Sequence, residues 1–93
     1  MPYLNFYEIK TFLTVEDALL FFEIKNLKFK NYYYSGACPL HKGSNPNAFH
    51  FCSRKKVYNC FTRCGDGNIL KFIMKYKKIS VYKAGLIALE IIR

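Results

Sequence analysis

The sequence predicts a single α+β domain over residues 1–93, in which a small antiparallel β-sheet packs against helices from both ends of the chain. Two observations predict this fold. Short β-prone segments separated by turn residues fill the middle of the chain. Apolar residues at helical spacing, each series preceded by a capping residue, lie before and after them. A domain of 93 residues has a thin core and commonly needs a metal or another cross-link.

Thr14 marks the start of the N-terminal helix. Its side-chain oxygen can cap the helix, and Asp17 follows three residues later. We expect this helix to continue to about Ile24. The residues before Thr14 are harder to interpret, and Met1 to Tyr7 fit either a strand or an irregular lead-in.

Four strands are predicted in the middle of the chain. They cover residues 27–30, 32–35, 48–53 and 57–61, with a loop at 42–47 and a hairpin tip between the last two strands. Alternation places Phe49 and Phe51 on one buried face and His50 on the other. The same rule gives Tyr32 and Tyr34 one face and Tyr33 the opposite one.

Two helices are predicted after the last strand. Asn68 is a good cap for the first, which carries Ile69 and Phe72 on its apolar side. Ser80 caps the final helix, whose predicted apolar stripe is Val81, Ala84, Ile87 and Ile91.

Two pairs of soft metal ligands flank the hairpin. Cys38 and His41 form the first pair and Cys60 and Cys64 the second, with 18 residues between His41 and Cys60. Ligands two to four residues apart can meet at one point on a tight turn, and thiolate with imidazole suits zinc. The spacing predicts one structural zinc ion held by these four residues.

Other interpretations of the cysteines stay open at this point. Cys52 could replace His41 in an all-cysteine site, although it has no second ligand near it at turn spacing. The four cysteines could also be unrelated buried or reactive side chains. Disulfides are disfavoured, because the absence of a signal peptide makes a reducing, cytoplasmic location the expectation.

The residues around these ligands resemble the zinc-binding domain of bacterial DNA primase. The matching segments are CPLH at 38–41, NP at 45–46, FHF at 49–51, YNCF at 58–61, CG at 64–65, GNI at 67–69 and FIM at 72–74. The resemblance covers about residues 14–92. One departure is that three residues separate Cys60 from Cys64, where the family has two.

The resemblance implies a division of labour. In this family, nucleotide transfer belongs to a separate catalytic domain, and the zinc domain is thought to grip the single-stranded template and help to start primers. The chain is therefore expected to be no enzyme on its own. A primase catalytic domain, a helicase and a polymerase are the candidate protein partners. A protein-interaction or regulatory module without direct DNA binding is the alternative.

Charge also favours a polyanionic ligand. Residues 1–23 carry one lysine against four acids, a net charge of −3, whereas residues 24–89 carry thirteen lysines and arginines against Asp66, a net charge of +12. A body this basic suits a nucleic acid. A membrane span is not expected, because no apolar run approaches the roughly 18 residues that one needs.

Basic and aromatic residues interleave around the hairpin and its neighbouring strand, which is the pattern of a single-strand binding surface. The candidate DNA contacts are Tyr32, Tyr34, Lys42, Arg54, Lys55, Lys56, Tyr58 and Arg63. No catalytic residue is predicted, since the chain has only six acids and no Asp-x-Asp pair to hold catalytic metal ions.

Overall fold

The computed structural model describes residues 6–25, 27–40, 48–61 and 65–92. The helices in these ranges are α1 (Phe6–Phe12), α2 (Val15–Phe21), α3 (Ile69–Lys77) and α4 (Val81–Ile92). The strands are β1 (Lys28–Lys30), β2 (Tyr33–Gly36), β3 (Phe49–Cys52), β4 (Val57–Cys60) and β5 (Gly65–Asn68). The α+β prediction is confirmed.

The five strands form one antiparallel meander in chain order, so each strand pairs with the next. Strand β5 was not predicted, because its residues Gly65-Asp66-Gly67-Asn68 have almost no β propensity. Pairing with β4 compensates for that deficit, because Cys60 lies opposite Gly65 and Val57 opposite Asn68. Gly65 has φ +74°, a backbone conformation that glycine adopts without strain.

The sheet has two unlike faces. The closed face carries Phe49, Phe51, Tyr58 and Cys60, all buried. Phe72 of α3 joins the first three of these residues in a four-ring cluster, with centroid distances of 4.9–6.0 Å. The predicted burial of Phe49 and Phe51 is confirmed, and helix α3 provides the cover.

The helices begin where their capping residues predict. Thr14 Oγ1 accepts a 3.0 Å hydrogen bond from the Asp17 amide, and Asn68 Oδ1 accepts a 2.9 Å bond from the Lys71 amide. Ser80 Oγ accepts from the Lys83 amide at 3.4 Å. Helix α2 ends at Phe21, three residues before the predicted end.

Two predictions about the terminal helices need correction. Phe6 and Tyr7 begin α1, so they form neither a strand nor an irregular segment, whereas Met1 to Asn5 lie outside the described residues. Helix α4 packs against α1, α2 and α3. Its buried residues are Ala84, Gly85 and Ala88, while Val81 is exposed. Ala84 of the predicted stripe is buried, and Ile87 and Ile91 pack partly buried against the core, so the predicted stripe is wrong only at Val81.

None of the helices in the described ranges combines the length and the apolar character that crossing a membrane requires.

Candidate metal centre and nucleic-acid interface

The predicted ligand segments meet at one end of the sheet. The register aligns Gly36, Phe49, Cys60 and Gly65 in a single row across β2 to β5. Cys38 follows that row by two residues along the chain, and its side chain is 1% exposed; that of Cys60 is 3% exposed. Two buried thiols therefore lie near the same sheet end.

The other two predicted ligands, His41 and Cys64, lie outside the described residues. Within the described ranges, no three histidines, cysteines or acids cluster closely enough to hold a metal ion. The two predicted ligands that the structure describes, Cys38 and Cys60, still fit zinc, since buried cysteines supply the soft sulfur that this ion prefers. In the sequence, Cys64 directly precedes Gly65. Gly65 belongs to the row of residues that contains Cys60.

Cys52 lies elsewhere in the sheet. It pairs with Val57, three residues along β3 from the row that contains Cys60, which is about 10 Å of strand. Its sulfur accepts a 3.4 Å hydrogen bond from the Lys55 amide in the hairpin turn. This position favours the prediction that Cys52 is not a ligand, which stays a prediction.

The open face is the side of the sheet opposite the Phe49–Phe51–Tyr58–Phe72 cluster. Tyr33, His50 and Phe61 form an aromatic row on it: the His50 ring lies 6.4 Å from the Tyr33 ring and 5.1 Å from the Phe61 ring. Tyr33 is 43% exposed and Phe61 is 65% exposed. They line a shallow groove of about 620 Å³, together with Lys55, Val57, Asn59, Asp66 and Asn68.

Tyr33 and Phe61 were not among the predicted DNA contacts. The signal was nevertheless present, because residues at alternate positions of a strand share a face. Tyr33 was placed opposite Tyr34, and Phe61 follows the buried Cys60, so alternation assigns both rings to the open face.

Tyr32 and Arg54 come together at one end of the sheet, but in turns. The Arg54 guanidinium carbon lies 4.8 Å from the centre of the Tyr32 ring, a cation–π geometry. Tyr32 has φ +69° and belongs to the turn between β1 and β2. The prediction that Tyr32 shares a strand face with Tyr34 is therefore wrong.

Tyr34 faces the helices. Its ring packs against Phe29 with centroids 4.7 Å apart, and its hydroxyl donates a 3.2 Å hydrogen bond to a Glu16 carboxylate oxygen. Ser53 Oγ donates to the same oxygen at 2.6 Å. Stacking on a base would compete with these contacts, so the structure argues against Tyr34 as a stacking residue.

The charges around Glu16 follow from this arrangement. Partial burial raises the pKa of Glu16, but hydrogen bonds from Ser53, its own backbone and Tyr34, together with the Lys56 charge, outweigh burial and hold that pKa below its ordinary value of 4.5. Partial burial and the Glu16 carboxylate raise the pKa of Tyr34.

Lys56 is also occupied within the domain. Its ammonium donates to the carbonyl oxygens of Lys10 and Thr11, at 2.9 and 2.8 Å. These carbonyls belong to the last turn of α1, where helices accept positive charge. Lys56 thus ties the hairpin to α1. These bonds argue against its predicted role as a phosphate contact, which stays a prediction.

Tyr58 is 1% exposed and lies inside the four-ring cluster. This burial argues against the predicted contact with a base, which stays a prediction. Lys55 and Arg54 are exposed, in accord with their prediction as phosphate contacts, which stays untested. Lys42 and Arg63 lie outside the described residues.

Together, the fold and the thiol-bearing sheet end define a small α+β domain of the zinc-ribbon class. The chain matches the CHC2 zinc finger family over residues 9–92, nearly its whole length. It belongs to this family, as a zinc-ribbon domain of the DNA primase type.

Curated relatives agree with this assignment. A DNA primase from Clostridium acetobutylicum is 42% identical over 52 residues, or 55% of this chain and 8% of that protein. A DNA primase from Pasteurella multocida is 34% identical over 65 residues, or 64% of this chain and 11% of that protein. The chain thus matches about a tenth of the length of these relatives.

A solved structure shares the fold. The crystal structure of the zinc-binding and RNA polymerase domains of the Aquifex aeolicus primase superposes with a TM-score of 0.70 at 25% identity. The match covers 90% of this chain and 20% of that one.

Proposed function

We propose that this chain binds single-stranded DNA template through the open face of its sheet and supports primer initiation by a primase. The observation that carries the proposal is the aromatic row of Tyr33, His50 and Phe61 in a shallow groove. Exposed rings on a sheet stack on unpaired bases in a way that tolerates many sequences.

Positive charge supplies the second part of the interface. Lys55 lines the groove. Arg54 precedes Lys55 in the same hairpin turn, with its guanidinium over the Tyr32 ring. These cations would hold the phosphate backbone while the rings hold the bases. Lys42 and Arg63, which sequence analysis also proposed, belong to the same basic body of the chain.

One zinc ion, bound by Cys38, His41, Cys60 and Cys64, is the proposed cofactor. Four protein ligands leave no coordination position for water or substrate, so this zinc would stabilise the fold and take no part in chemistry. Nucleotide transfer is assigned to a separate catalytic chain or domain. A helicase or polymerase is a further candidate partner.

Titration of the zinc-loaded protein with labelled single-stranded and duplex oligonucleotides tests the proposal. If about four phosphates are engaged, log affinity should fall against log salt with a slope of about −3. Duplex should bind more weakly, because its bases are not free to stack. Equal affinity for both forms would reduce the interaction to non-specific charge attraction and contradict the proposal.

A second candidate is a protein-interaction role. Large apolar side chains are exposed on the helices, among them Phe12, Leu20, Tyr82 and Leu86. A contiguous exposed apolar patch marks a protein docking surface, so this role requires these side chains to lie together in one patch. Binding to an acidic replication protein, without detectable affinity for single-stranded DNA, would favour this role over the first.

A further inference from the structure

A row of polar side chains crosses the open face. The strand register places Ser35 opposite His50, His50 opposite Asn59, and Asn59 opposite Asp66. Directly paired residues project to the same side of a sheet. His50, Asn59 and Asp66 all line the groove that carries Tyr33 and Phe61, so hydrogen-bonding groups lie among the exposed rings.

Asp66 is unexpected in this position. It is the only acid between residues 24 and 89, a segment with thirteen lysines and arginines. It is exposed in the groove, where a carboxylate repels the phosphates that Lys55 in the same groove attracts. Asp66 therefore does not help to bind the phosphates. Its carboxylate is instead suited to accept hydrogen bonds from a base.

The Watson–Crick edges of the bases differ in how they meet a carboxylate. An ionised carboxylate only accepts hydrogen bonds, and it can accept two side by side. Guanine presents two adjacent donors, N1–H and the 2-amino group. Thymine presents one N–H between two carbonyl oxygens, and adenine and cytosine each present one amino group beside an acceptor nitrogen. Guanine alone matches both oxygens of Asp66.

Asn59 complements this arrangement. It lies opposite Asp66 in the register, and its amide both donates and accepts. It can therefore donate to the guanine O6 atom, which lies beside N1–H on the same edge. A base that stacks on the neighbouring rings would present its edge to this pair of side chains, which is how proteins read unpaired bases.

We infer that Asp66, assisted by Asn59, makes the open groove selective for guanine in single-stranded DNA. This inference rests on the proposed function, because it requires the groove to hold a single strand. It assigns Asp66 the role of a specificity-determining residue and leaves general affinity to the rings and cations.

The test uses the zinc-loaded chain and labelled oligo-dT strands that carry one central dG, dI or dA. Inosine keeps N1–H but lacks the 2-amino group. We expect the dG strand to bind about fivefold to a hundredfold more tightly than oligo-dT, with dI and dA strands clearly weaker than dG. Asp66→Asn should remove the preference for dG and should bind oligo-dT more tightly than the unsubstituted chain does, because it removes a charge that repels the phosphates.

Asp17→Asn provides the matched control, since Asp17 is an exposed acid on α2 that does not line the groove. It should keep the dG preference. Two failures are distinguishable. Binding of oligo-dT with no preference for dG, or a preference that survives Asp66→Asn, would overturn this inference alone. Absence of binding to every strand would overturn the proposed function and this inference with it.

Discussion

The two faces of the sheet carry the same kinds of residue in unlike surroundings. On the closed face, Phe49, Phe51 and Tyr58 are buried with Phe72 from α3. On the open face, Tyr33 and Phe61 remain exposed and line a groove. Cys60 and Phe61 are neighbours in the chain, yet one is buried and the other exposed. Strand alternation, and not residue type, therefore decides which rings stabilise the domain and which can meet a ligand.

The same lesson applies to charge. Lys55 and Lys56 are adjacent in the hairpin turn, but Lys55 lines the groove and Lys56 caps α1. Lys56 has φ +57°, which helps the chain to turn at the end of the hairpin. A cluster of basic residues in the sequence is thus divided between two structural tasks.

The largest effect on zinc binding and stability is expected from a comparison of Cys60 with Cys52. Cys60 lies on the closed face, and Cys52 shares the open face with Tyr33, its partner in the register. Cys60→Ser should abolish zinc binding and largely unfold the domain, because a site of this kind contributes about 10–16 kcal/mol of apparent binding free energy. Cys52→Ser, the matched control, should keep one zinc per chain. Zinc content and circular dichroism report both results. Loss of zinc in Cys52→Ser would show that the ligand assignment is wrong.

The next largest effect compares rings across the sheet. Phe72→Ala should lower the free energy of unfolding by about 3–5 kcal/mol, since it leaves a cavity in the four-ring cluster. Phe61→Ala should change it by less than about 0.5 kcal/mol, because this ring is exposed. Denaturant unfolding measures both. Similar losses in the two variants would contradict the distinction between the faces.

The smallest effect concerns the contact that joins the sheet to α2. Glu16→Gln weakens the hydrogen bonds from Tyr34 and Ser53, but the site is exposed, so we expect a loss of less than about 1 kcal/mol at neutral pH. The pKa of Glu16 is lowered in the folded chain, so the unfolded chain binds more protons in the window just below pH 4.5. The stabilisation is therefore present above that pH and lost as the pH falls through the folded pKa.

Denaturant unfolding across this pH range tests the last prediction. The stability difference between the unsubstituted chain and Glu16→Gln should shrink as the pH falls below about 4.5. Glu23→Gln, at an exposed position after the end of α2, removes one acid in a different place and controls for net charge. A difference that grows in acid would contradict the role given to Glu16.

Local patterns predicted most of the fold. Thr14, Asn68 and Ser80 are caps whose side-chain oxygens meet the amides expected of them, and Phe49 and Phe51 follow from alternation. Strand β5 was not predictable in this way, because only its pairing with β4 makes Asp66 and its neighbours extended.

The candidate interface was less predictable, for a physical reason. The inward contacts of Tyr34 and Lys56 join residues 18 and about 45 positions apart, and no local pattern encodes them. Tyr58 was predicted to share a side with Cys60, but its complete burial depends on α3, which follows later in the chain.

Two phenylalanines test the central claim most directly. Phe61 and Phe12 are both 65% exposed, but only Phe61 lines the groove, while Phe12 ends α1. We predict that Phe61→Ala weakens binding of a labelled single-stranded oligonucleotide by about 1–3 kcal/mol at every salt concentration, and that Phe12→Ala leaves it unchanged. Zinc content and thermal unfolding, measured on both variants, show that the fold is retained. Equal affinities for the two variants would contradict the assignment of the open face as the DNA-binding surface.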